Sequence, residues 1–356
     1  MSLRHLKPVL LLGCLLGLLA TAGLAQAAES PLEWLQRMED ALSTRNYQGV
    51  FVHEHGGQSE TLRILHRVRN GEVCERIVSM DGSGREFIRR GDELRTYLPD
   101  QKLVLVEKRP GLGLLLNELR VPDTTASGQY TTRDGGRARV AGRQARLIDV
   151  EPLDELRYGY RVWIDETTAM PLKSQLRAAG GRVVEQLIFT SLTLPAQMAD
   201  AALQPAIDAQ HYRWLRYDHP VREGSAPVMV QEVGELPPGF RLTVRALQRL
   251  PGTRGAVTHL VFSDGLASVS VFIDAHGRGQ GAVSAIKSTS VGSSSAFSMM
   301  IDGYRITALG EVPPDTVRAI VHALRPVGGD ESATEAGERG LPVRGNTQGG
   351  RHGGPR

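Results

Sequence analysis

Between residues 46 and 194 the chain repeats a pattern that leaves few architectures open: short runs of alternating apolar and polar residues, separated by turn dipeptides. Leu62, Ile64, His66 and Val68 alternate with Arg63, Arg67 and Arg69, and Tyr160, Val162 and Ile164 alternate with Arg161, Trp163 and Asp165. Asn70-Gly71, Asp81-Gly82, Gly91-Asp92, Pro99-Asp100, Asp134-Gly135 and Gly180-Gly181 fall between such runs. A period of two marks half-buried strands, and turn pairs at this spacing mark hairpins, so the pattern predicts a meander of about nine or ten antiparallel strands. A one-sided sheet that wide leaves its apolar face in water unless it closes into a barrel or wraps around a filler. The preceding segment supplies one. Ser30 is a good N-cap, Pro31 suits the first helical position, Glu33 completes a capping box, and Leu35, Met38 and Leu42 recur at helical spacing beside Trp34. This helix is predicted to end near Arg45.

One stretch breaks the alternation. Leu112, Leu114, Leu115, Leu116 and Leu119 crowd together between Pro110 and Pro122. They read either as a short buried helix plugging the curved sheet or as the lining of an apolar cavity for lipid. Both place leucines inside. Residues 196–205 are Ala-rich with prolines at either side and read as a linker after a first domain at 28–195. The second domain, 206–326, shows further alternation: Leu242, Val244 and Ala246; Val269, Val271 and Ile273; Tyr304, Ile306 and Ala308. After Pro313-Pro314, the residues Val317, Ile320, Val321 and Leu324 make one apolar helix face. The fold class is therefore α+β. Residues 327–356 are Gly-rich and polar and read as a disordered tail.

Residues 1–27 read as a secretory signal: Arg4 and Lys7, an apolar run from Val9 to Leu19, and Ala25-Gln26-Ala27 before the cut. Nothing later reaches the ~20 apolar residues that span a bilayer. Leu11-Leu12-Gly13-Cys14 imitates a lipoprotein cleavage site only weakly, since a cut there leaves a very short apolar region. Removing Cys14 with the leader leaves Cys74 alone, which excludes an intrachain disulfide and suits a small buried hydrophobe. Removing Arg4 and Lys7 brings the 42 basic residues almost level with the 39 acidic ones. No basic stripe remains, which disfavours nucleic acid as partner.

Motifs for chemistry are poor. His53 and His55 share one strand face, but zinc takes three or four protein ligands and no further cluster is legible, so they read as solvated histidines and no metal is expected. Gly292-Ser293-Ser294-Ser295-Ala296 lacks the closing Gly and the strand-to-helix setting of a nucleophile elbow and reads as a flexible loop. Gly277-Arg278-Gly279-Gln280-Gly281 lacks dinucleotide-fingerprint spacing and reads as a turn. Glu151 with Asp154, and Asp165-Glu166, read as surface carboxylates. No catalytic residue and no cofactor is expected, and the chain does not read as an enzyme. A hydrolase using Ser293 to Ser295 is the weakest alternative.

Local phrases carry more information. Asn46-Tyr47-Gln48-Gly49-Val50-Phe51-Val52, Glu60-Thr61-Leu62-Arg63-Ile64-Leu65-His66-Arg67, Arg85-Glu86-Phe87-Ile88-Arg89-Arg90-Gly91 and the long phrase from His259-Leu260-Val261-Phe262-Ser263-Asp264-Gly265-Leu266 through Phe272 resemble the RseB/MucB family. That family comprises periplasmic regulators of the envelope-stress (sigma-E type) sigma factor. The resemblance runs in order through residues 31–326. It implies a LolA/LolB-like half-open antiparallel β-barrel wrapped around helices, followed by a smaller α+β domain. It also implies a location in the periplasm and a partner, the periplasmic segment of an RseA/MucA-type anti-sigma factor, which is shielded from proteolysis and released by lipopolysaccharide or another lipid. Homo-oligomerisation stays open. No residue motif transfers position by position. Tyr212, Trp214 and Tyr217 are candidate partner contacts because aromatics concentrate in interface hot spots; packing between the domains is an equal reading. A lipid or lipoprotein carrier is the alternative function, and the second domain is what such a carrier would not need.

Overall fold

The computed structural model describes residues 29–108, 114–115, 128–217, 229–232, 234–249, 256–274 and 287–327. The signal segment, Leu112, Leu116, Leu119, the Gly277–Gly281 turn and the tail beyond Val327 lie outside them, as does the side chain of Tyr217.

Helix α1 (Pro31–Thr44) begins as anticipated: Ser30 and Glu33 form the reciprocal capping box. Eleven strands follow: β1 (Tyr47–His55), β2 (Gln58–Arg69), β3 (Glu72–Ser79), β4 (Glu86–Arg90), β5 (Glu93–Leu98), β6 (Leu103–Lys108), β7 (Tyr130–Val140), β8 (Arg143–Pro152), β9 (Gly159–Asp165), β10 (Pro171–Arg177) and β11 (Val183–Thr193). Their order is β6-β5-β4-β3-β2-β1-β11-β10-β9-β8-β7, so β1 joins two meanders through β11. Asp134-Gly135 makes no turn. It forms a bulge with Gly136 inside β7, where Gly136 sits at φ +90°.

The sheet is a half-open barrel filled from within. Trp34, Leu35, Met38, Ala41 and Leu42 of α1 share one core with Tyr47, Phe51, Ile64, Ile148, Ile164, Phe189 and Leu115. At roughly 25 cal/mol per Å² of buried apolar area this enclosure is the main stabilising term, and among the described residues no disulfide assists it. Cys74, the single free cysteine among the described residues, is only half-buried. Part of the inner face is polar: His66 Nδ1 and Glu75 Oε1 lie 2.8 Å apart, Tyr47 stacks on the imidazole at 4.4 Å, and Glu75 Oε2 accepts the Leu114 N–H at 2.7 Å.

The segment read as a linker behaves differently. Residues 198–212 cross the outer face of the sheet as a strap and then supply β12 (Arg213–Tyr217), which pairs in parallel with β6 and becomes the edge of the first sheet. Met198 and Leu203 pack on Leu65, and Ile207, Ala209 and Tyr212 on Ile88, Tyr97, Val104 and Val106. Arg67 bonds Asp200, Arg76 the Ala202 carbonyl, and the Ala206 N–H Glu86. The Ala-rich composition suggested no partner, and only the sheet's outer apolar side chains reveal one.

The second unit has a two-stranded pair, β13 (Met229–Glu232) with β20 (Leu324–Val327), and a six-stranded antiparallel sheet. Its strands are β14 (Arg241–Arg249), β15 (Ala256–Ser263), β16 (Ser268–Asp274), β17 (Lys287–Val291), β18 (Ser294–Ile301) and β19 (Tyr304–Gly310), in the order β14-β15-β16-β19-β18-β17. Helix α2 (Pro314–His322) covers one face, with Val317, Ile320 and Val321 fully buried against Val269, Val271, Ile273 and Ile306, while Leu324, expected on the helix, is buried at the start of β20. A bulge at Thr243 shifts the phase of β14, leaving Val244 exposed where simple alternation places it inside.

Candidate functional site at the domain seam

The β8–β9 loop carries Arg157, and the β15–β16 turn carries Asp264. Both side chains are 0% exposed. Arg157 Nη1 donates to Asp264 Oδ2 at 2.6 Å, Nε and Nη2 donate to Asp154 at 2.9 and 3.0 Å, and Nη2 also reaches the Pro238 carbonyl at 2.7 Å. Tyr130 OH donates to the same Asp264 Oδ2 at 3.0 Å, while Oδ1 accepts the N–H groups of Leu266 and Ala267. Burial first, then the Asp264 charge, pushes the Tyr130 phenol far above its ordinary value, so it stays a donor. The Tyr130 and Phe240 rings flank the guanidinium at 5.6 and 5.3 Å. Every oxygen of the buried carboxylate is thus met, the condition under which a desolvated ion pair persists. The same turn inserts Leu266 into the first domain's core.

A second contact joins two features that look unrelated in sequence. Ser293, in the β17–β18 turn, donates to Glu185 Oε2 at 2.5 Å, and His53 Nε2 lies 2.7 Å from Glu185 Oε1. Gly56 and Gly292 come so close that a Cβ on Gly56 would lie 3.2 Å from the Gly292 nitrogen, and both have left-handed φ, +56° and +60°. Burial pushes the Glu185 carboxyl up, but bonds from His53 and Ser293 and the nearby His53 and His55 outweigh it and hold it below the ordinary value. Ser293 and Glu185 thus tie the β17–β18 turn of the second unit to β11 and β1 of the first. The loop read as flexible is a tight turn with Ser293 and Ser295 buried. The histidines flank the seam, and among the described residues no group of three or more His, Cys, Asp or Glu could hold a metal. Thr316, in the first turn of α2, donates to the Leu156 carbonyl and closes a third contact. Between these lies a hollow of about 340 Å³ lined by Tyr160, Leu266, Val291 and Leu309 among others.

The candidate residues from the sequence lie elsewhere. Leu115 is 1% exposed in the first core and Leu114 packs on it. Tyr212, at the end of the strap, packs on the outer face of the first sheet, and Trp214, 47% exposed, stands edge-on to Tyr97. Among the described residues, both make their ring and apolar contacts with the first sheet and the strap. Arg157, Tyr130 and Asp264 carried no signal beyond the turn Ser263-Asp264-Gly265, because their pairing spans about a hundred residues.

Similarity to known proteins follows both units. The MucB/RseB N-terminal domain model matches residues 30–207 and the MucB/RseB C-terminal domain model residues 229–325. The sigma factor AlgU regulatory protein MucB of Pseudomonas aeruginosa is 33% identical over 333 residues, 91% of this chain and 98% of that protein. The sigma-E factor regulatory protein RseB of Haemophilus influenzae is 25% identical over 308 residues, 86% of this chain and 95% of that one. A crystal structure of MucB in complex with MucA(peri) aligns with TM-score 0.65 at 30% identity, covering 84% of this chain and 100% of that chain. The MucA/MucB complex of Pseudomonas aeruginosa gives 0.64, also at 30% identity, with 84% and 99% covered. Matched through both of its units, the chain belongs to the MucB/RseB family.

Proposed function

We propose that this protein is a periplasmic negative regulator of an envelope-stress sigma factor. It binds the periplasmic segment of a MucA/RseA-type anti-sigma factor and shields it from regulated proteolysis, with a lipid signal favouring release. The observation that carries this reading is the alignment with MucB in its MucA complexes over 84% of the chain, both units included. The buried Arg157–Asp264 clasp supports a role for the units acting as one body, so partner affinity should need the second domain. The signal-like leader supports the periplasm, and among the described residues no helix is long and apolar enough to cross a membrane. A ligand releases its competitor only by preferring the partner-free state, so the lipid must bind that state more tightly. The leucines at 112–119 remain the proposed acyl-chain contact, beside Leu115. The carrier alternative is less favoured, because such a carrier would not need the second unit matched at residues 229–325.

The test is retention of the anti-sigma factor's periplasmic segment on the immobilised mature protein. Capture in the absence of lipid is expected. No capture overturns the proposal, and full affinity in a chain ending at Tyr217, which keeps the strap and β12, overturns the role of the second domain.

A further inference from the structure

The outer face of the first sheet is covered by the strap only across β2 to β6. Beside it, over β11, β1, β2 and β3, runs an open trough of about 700 Å³. The strand registers make its floor two parallel rows: Ser191, Val50, Arg63 and Val78 in one, Thr193, Gln48, Leu65 and Arg76 in the next. Met80, itself exposed, closes one side and Ala202 of the strap another. The lining contains two arginines and no carboxylate. Arg76 is held by Glu86, with Nε to Oε2 at 3.1 Å, and by the Ala202 carbonyl. Arg63 is exposed and has no hydrogen-bond or ion-pair partner among the described residues, with Val50 and Val78 as its cross-strand neighbours.

An unpaired guanidinium set among aliphatic side chains is a common anchor of protein interfaces: the apolar surround excludes water once covered and strengthens the charge-assisted bond. We propose that this trough receives a short extended segment of the anti-sigma partner in which a carboxylate, flanked by apolar side chains, pairs with Arg63. The proposal rests on the partner reading above and assigns it a surface. An extended peptide fits better than a lipid. The trough is open and rimmed by Gln48, Ser191 and Thr193, which suits a chain alternating polar and apolar groups, and a single free cation matches one carboxylate rather than a multiply charged headgroup.

The experiment titrates the mature full-length protein with the fluorescently labelled periplasmic segment of its anti-sigma factor, comparing wild type with Arg63→Glu, Arg63→Gln and Arg139→Glu. Arg139, exposed on β7 at the opposite edge of the sheet, controls for net charge. Arg63→Glu should weaken binding about tenfold or more and Arg63→Gln less, as expected for a lost charge-assisted bond, with Arg139→Glu within about twofold of wild type. Thermal melting should stay unchanged, because Arg63 supports nothing in the fold. Unaltered affinity in Arg63→Glu overturns the proposal while leaving the partner reading intact. Failure of wild type to bind overturns both. If Arg63→Glu keeps the segment but loses phosphatidylglycerol vesicles that wild type binds, the trough is a lipid site and the proposal is overturned in that direction.

Discussion

The first sheet is filled from within by α1 and covered outside across β2 to β6 by the strap, whereas the second has α2 on one face and, among the described residues, leaves Val244, Val291 and Leu309 exposed. Curvature explains part of the difference. A half-closed sheet encloses more volume than one amphipathic helix fills with apolar groups, and the polar His66–Glu75 pair and the Leu114–Leu115 turn occupy the remainder. The nearly two-layer second unit needs only one apolar helix face. The two are welded by a buried ion pair and by Leu266 inserted from the second unit into the first core, so their coupling depends on a few named groups.

The sharpest way to break that coupling is Arg157→Met. It leaves the Asp264 carboxylate buried without its cation, which costs about 3–5 kcal/mol when a buried pair is halved. Denaturant unfolding should show the loss, and adding Asp264→Leu in the same chain should recover only part of it, because Tyr130 OH and the N–H groups of Leu266 and Ala267 then lose their acceptor. A change no larger than that of a surface arginine would mean that the seam does not rest on this pair. Next in size are Leu266→Ala and Ile320→Ala, each about 2–5 kcal/mol as large-to-small core changes. Hydrogen exchange separates them. Leu266→Ala should loosen β8 and β9 of the first sheet although the residue belongs to the second, whereas Ile320→Ala should act on β18 and β19. If Leu266→Ala leaves the first sheet untouched, the two cores are independent.

A smaller effect, about 1 kcal/mol, is expected from Ser30→Ala through loss of the capping box, read as faster exchange in the first turn of α1 with the second sheet unchanged. Smallest, at mild acidity, is a pH effect. Burial pushes the carboxyls of Glu60, Asp165 and Glu185 up, but their hydrogen bonds and cationic neighbours outweigh it, so all three titrate below their ordinary values in the first sheet. Their contribution is complete above the unfolded carboxylate range and is lost as the pH falls through the lower folded values. Exchange protection in the first sheet should therefore decline from about pH 4 downward, with the Glu185–Ser293 contact loosening at the seam. Acid-independent protection of β1 and β11 would refute this.

Local physics made much of this legible. The capping box set α1, period-two alternation and turn pairs set the strands, and 3.6-residue spacing set α2, because each depends on residues close in sequence. Alternation misled at Asp134-Gly135 and at Thr243, where an added residue bulges without ending the strand. The strap was invisible for another reason. Met198, Leu203 and Ile207 are too sparse to show a period, and their partners lie on strands far away in the chain. The seam was equally hidden: the histidine pair and the serine loop each looked inert, and only folding brings His53 and Ser293 to the same Glu185. The sequence by itself determined the elements, their faces and, through its long phrases, the family. Tertiary structure alone decided which charges are buried, which outer surfaces are covered and that Arg63 stands in the trough without a partner among the described residues, because these follow from contacts between residues whose separation in the chain carries no local signal.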